Sequence, residues 1–78
     1  MADDGAFERV VKRSLAVAGH RTSVSLEDVF WRELKDCAAQ RGVSLAALVA
    51  DIDAGRGAAN LSSALRVFVV RRLKSAAQ

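Results

Sequence analysis

Apolar positions recur along this chain first with the period of an extended strand and then with that of a helix. In His20–Leu26, Thr22, Val24 and Leu26 fall on one side of an extended backbone, with Arg21, Ser23 and Ser25 on the other. One side suits a core. The other carries a guanidinium and two hydroxyls, able to hydrogen-bond something outside the chain. A strand this short is not stable alone, so it needs a partner strand. The preceding Arg9–Val17 is rich in β-branched residues and basic in its middle. It reads as a second strand returning through Ala18-Gly19, where glycine gives the freedom a turn requires. The other reading is an ordered basic arm lying across a neighbour.

From Glu27 the period becomes helical. Phe30, Leu34, Cys37, Ala38 and Arg41 stack on one side of a helix over Glu27–Arg41, with Trp31 at the edge of that face. Glu27 and Asp28 suit the first turn, where the helix dipole favours acids, and Gly42 suits the position after the last turn. Ser44 is a good N-cap for a second helix, Leu45–Ala54, whose apolar residues are Leu45, Leu48, Val49 and Ile52. Gly55–Ala59 reads as a loop. Asn60 caps a third helix, Leu61–Leu73, with Leu61, Leu65, Phe68 and Val69 on one face and Val67 and Val70 on another. Apolar residues on that much of the circumference point to burial on more than one side.

The chain of 78 residues is expected to form one domain over 9–74, between an acidic tail at 1–8 and a frayed tail at 75–78. With no proline, a single cysteine and few aromatics, nothing staples so small a core, and a second copy of the chain is the expected source of the missing packing. Cys37 alone excludes an internal disulfide framework and fits a reducing compartment. The N-terminus places acids where a signal peptide has basic residues, and no stretch is long and apolar enough for a membrane span. The cytoplasm is the expected location.

Net charge is +3, but it is unevenly distributed. Residues 9–25 carry four Arg or Lys and no acid, and residues 54–78 carry five and no acid, whereas 26–53 hold six acids against three bases. Basic charge therefore gathers around the strand and in the C-terminal third, which permits a polyanionic partner on one face.

Strand, helix, the turn Arg41-Gly42-Val43-Ser44 and a second helix follow the ribbon-helix-helix plan. His20-Arg21-Thr22-Ser23-Val24-Ser25-Leu26-Glu27, Phe30-Trp31 and Arg41-Gly42-Val43-Ser44-Leu45 resemble that plan, and Gly19-His20-Arg21-Thr22-Ser23, Ala50-Asp51-Ile52-Asp53 and Asn60–Phe68 resemble a bacterial subfamily of small ribbon-helix-helix proteins with an added C-terminal helix. The resemblance covers 12–70. It implies a mainly α fold with one or two short strands, assembled as an intertwined homodimer through an intermolecular antiparallel β-ribbon. It also implies sequence-specific binding of double-stranded DNA, as a transcriptional regulator or an antitoxin-like autorepressor. In that mode the paired ribbon enters the major groove, and Arg21, Ser23 and Ser25 meet base edges. Ser44 and Leu45 at the second helix would hold a backbone phosphate, and Lys12, Arg13 and His20 are candidates for flanking phosphates. Two features depart from the minimal plan: the segment Arg9–Ala18, which could cover the ribbon or reach DNA as an arm, and the third helix, which could serve stability or a protein partner.

Several of these residues also have plainer roles. Ser25-Leu26-Glu27-Asp28 matches a capping box, which would make Ser25 the N-cap of the first helix. Arg21 could simply guard a strand edge, and Ser44 is a cap under either reading. His20 has no partners at metal-ligand spacing, Gly55-Arg56-Gly57 lacks the phosphate-loop fingerprint, and no nucleophile, base and acid form a set. No enzyme activity, metal or cofactor is expected. The alternative function is a protein-interaction or dimerisation module that uses the same fold without DNA.

Overall fold

The computed structural model describes residues 9–77. Two strands, β1 (Val10–Val17) and β2 (His20–Glu27), precede three helices, α1 (Asp28–Arg41), α2 (Leu45–Gly55) and α3 (Leu61–Ala76). The strands form one antiparallel two-stranded sheet, running from Val17↔His20 at the turn to Val10↔Glu27 at the open end. Ala18 and Gly19 have φ of 51° and 82°. Positive φ at both positions marks the tight hairpin turn whose twist matches that of the flanking strands. Arg9–Val17 is thus β2's neighbour and lies beside it, not across its face. β2 pairs with β1 of its own chain, because a two-residue turn brings β1 back at once.

The pleat sorts the hairpin into two faces. Val17, Val24 and Leu26 are buried on the inner face, with Leu15 packed against them. The three helices close over that face, and Leu34, Cys37, Ala38, Leu48, Val49, Leu65 and Val69 complete the core. Cys37 is a free, buried thiol that packs as a small apolar residue. No helix is long and apolar enough to cross a membrane among the described residues.

The helix ends follow local chemistry closely. Gly42 takes the left-handed conformation after α1, and its N–H bonds back to the carbonyls of Ala38 and Ala39. Ser44 Oγ accepts from the Ala47 N–H at 3.0 Å, and Asn60 Oδ1 accepts from the Ser63 N–H at 3.2 Å. Asp53, unfavourable to the dipole at the end of α2, takes the Arg56 guanidinium at 2.6 Å and so supports the exit turn.

Two expectations are corrected. The Ser25–Asp28 capping box does not form: β2 runs on to Glu27, which holds the N-cap position with no side-chain cap bond. The third helix, expected over Leu61–Leu73, continues through Ala76, and the N–H of Ala77 bonds the Leu73 carbonyl. Lys74 lies in that last turn, where the dipole favours a cation. The acidic tail at 1–8 lies outside the described residues.

Leu26 is fully buried where β2 meets α1. Leu26→Ala should cost about 2–5 kcal/mol in urea unfolding. Ala18→Asn, which relieves a left-handed alanine at the turn, should raise stability by about 0.5–1 kcal/mol.

Candidate nucleic-acid interface

On the outer face the strand pairs are Lys12↔Ser25, Ser14↔Ser23 and Ala16↔Arg21. Lys12, Ser14, Ala16, Arg21 and Ser23 are exposed, and Ser25 is half-buried. Between its ends this face carries two cations, three hydroxyls and one methyl, with no large apolar group. A guanidinium nitrogen of Arg21 donates to Ser14 Oγ at 3.2 Å, a diagonal cross-strand contact that holds the side chain over the sheet. Arginine has five N–H donors in a fixed fork, so this bond leaves others for an external acceptor. Ser14 escaped the sequence reading, although the alternation of Lys12, Ser14 and Ala16 carried the signal.

The outer edge of β2 is closed at Ser25. Its N–H donates to Ser62 Oγ at 3.1 Å, and its carbonyl accepts from the Arg66 guanidinium at 3.1 Å. The same guanidinium bonds Glu27 Oε1 at 3.0 Å, also forming an ion pair, and lies over the Phe30 ring. One arginine of α3 thereby ties the strand to the start of α1. These contacts span 37 to 41 residues of sequence, beyond the reach of local patterns.

The expected phosphate contacts are dispersed. Lys12 shares the outer face, and His20 stands exposed beside the turn. Arg13 points to the inner side, where it pairs with Asp28 Oδ1 at 3.0 Å and stacks 4.6 Å from the Trp31 ring centroid. Its NH1 is buried without a hydrogen-bond partner, so the side chain is committed to α1 and not presented to a ligand. Ser44 and Leu45 open α2, which packs against β1. They make no hydrogen bond to the hairpin among the described residues. The structure therefore brings Lys12, Arg21, Ser23 and Ser25 together with Ser14, leaves His20 at the tip and Ser44 with Leu45 on a separate element, and turns Arg13 to the inner face.

No cluster of three or more His, Cys, Asp or Glu is placed to hold a metal among the described residues. Among the described residues, Glu27 is the titratable group with a displaced pKa. A hydrogen bond from its own backbone N–H, and then the bond from Arg66, hold it below the ordinary carboxylate value of 4.5.

Compared with known families, residues 10–73 match the model of the ribbon-helix-helix domain. No curated protein and no solved structure matches the chain.

Because the folded-state pKa of Glu27 is lowered, its stabilising contribution is present above the ordinary carboxylate value and disappears as pH falls through the folded-state value. Replacing Glu27 by Gln should lower the urea midpoint near neutral pH. The gap to the unmodified chain should then close as pH falls below the ordinary carboxylate value of 4.5. A gap independent of pH would deny the ionised bridge to Arg66.

Proposed function

The chain belongs to the ribbon-helix-helix family, and on that premise we propose that it is a sequence-specific DNA-binding homodimer acting as a transcriptional regulator or an antitoxin-like autorepressor. The supporting observation is the exposed polar outer face of the hairpin, backed by the buried Val24 and Leu26. A two-stranded ribbon fits a major groove about 12 Å wide. Arg21 offers a fork to guanine O6 and N7. Ser23, with Ser14 beside it, can donate to or accept from several base edges and so discriminates less. The Ser25 hydroxyl lies at the inner end of the same row. Lys12 and His20 reach flanking phosphates, and Ser44 with the amides of Leu45 and Ala46 holds another at the start of α2. Arg13 leaves the contact set, since Asp28 and Trp31 hold it.

Two chains would read two half-sites. Joined along the free edge of β1, they would set four strands side by side. That spans about 14 Å between the outermost strand axes, from about 4.8 Å per step. Such a sheet exceeds the groove, so the seam of a DNA-binding dimer belongs outside the sheet. The working location of such a protein is the cytoplasm, where DNA is accessible, and its folded unit is one domain over 9–74.

Gel shift with genomic fragments from around its own gene, repeated over a salt series, tests the reading. Arg21→Ala with Ser23→Ala should relax sequence preference. Lys12→Ala should weaken all sequences alike and reduce the salt slope by about 1. Arg13→Ala should lower stability while leaving the slope unchanged. Absence of saturable binding at low salt would refute the proposal.

A further inference from the structure

Away from the hairpin's outer face, α2 and α3 frame an open groove of about 1010 Å³. Its floor is apolar, with Leu48 at the bottom and Ile52, Val67 and Phe68 along the sides. Val67 remains 47% exposed. The volume equals that of a large small-molecule pocket, about 1,000 Å³, but the groove is open along its length. That shape suits a chain segment laid into it.

The rim decides the chemistry of the occupant. Arg41, Arg56, Arg71 and Arg72 border the groove, against one acid, Asp51. Arg56 is occupied by Asp53, and Arg72 by Glu33 and Gln40. Arg71 has no partner among the described residues, and Arg41 has only the Phe68 ring, 5.4 Å from its guanidinium carbon. Residues 54–78 contain no acid to answer these cations. A second copy docking groove to groove would set one basic rim against another, which like-charge repulsion opposes. A phosphate backbone would leave Val67 and Phe68 without apolar contact.

We infer that this groove is the docking site for an acidic amphipathic helix of a partner protein. Its apolar stripe lies on Ile52, Val67 and Phe68, and its carboxylates meet Arg41 and Arg71. Apolar anchors at helical spacing in a groove, with charge at the rim, constitute a general mode of helix recognition. The site shares no residue with the hairpin's DNA face and stands whether or not that face binds DNA.

The test is fluorescence anisotropy of the full chain with a labelled synthetic peptide of about 18 residues, carrying leucines at helical spacing and glutamates elsewhere. The control has lysine for each glutamate. The expected result is saturable binding of the acidic peptide, at least about tenfold weaker for the lysine control. Val67→Glu and Arg71→Glu should each weaken it by at least about tenfold, with circular dichroism and DNA gel shift unchanged. Equal binding of both peptides, no saturation, or indifference to Arg71→Glu would overturn the inference. Binding that emerges only after removal of residues 1–8 would make the chain's own acidic segment the occupant, and loss of a solution dimer in Val67→Glu would make it a second copy. Either result overturns the partner helix.

Discussion

The pairing of β2 with β1 through Ala18-Gly19 is the constraint on which the rest of this structure depends. It satisfies one edge of β2 and fixes the register, and the register decides which side chains face outward. A slip of one residue would send Val24 and Leu26 into solvent and turn Arg21 and Ser23 onto the core. Because α1 begins at Asp28, directly after the strand, the same register also sets the phase at which α1 meets the sheet.

A single arginine closes the arrangement on the other side. Arg66 reaches from α3 to the Ser25 carbonyl and the Glu27 carboxylate, while Ser62 takes the Ser25 N–H. An exposed ion pair alone contributes little, about 0–1 kcal/mol. Here the bond to the strand carbonyl adds to it by satisfying a backbone group that lacks a strand neighbour. The third helix is therefore part of the ribbon's support, with its inner face on the core and its outer face beside the groove.

Features set by local chemistry could be read from the sequence. The alternation in His20–Leu26, the caps at Ser44 and Asn60, the glycine after α1 and the turn at Ala18-Gly19 each depend on a few neighbouring residues, and each stands where expected. Ser25 shows how local reading fails. Ser25-Leu26-Glu27-Asp28 has the form of a capping box, but α3 holds the Ser25 backbone from 37 and 41 residues away and the strand persists to Glu27. The surroundings of Arg13 are non-local in the same way: its side of the pleat and its partners Asp28 and Trp31 are set by the fold. Of the outer-face row, Arg21 and Ser23 were legible from β2 alone, whereas Ser14 required knowing that β1 lies alongside.

The protein thus presents two chemically different surfaces: a flat polar ribbon with two cations, and an apolar groove with an arginine rim. Whether the ribbon meets DNA can be read directly by following backbone amide resonances as a duplex from around its own gene is titrated into the full chain. The largest shifts should fall on Lys12, Ser14, Arg21 and Ser23, with a smaller set at Ser44–Ala46 and little change at Val67 or Arg71. Shifts confined to α3, with the hairpin amides unmoved, would contradict a DNA-reading ribbon.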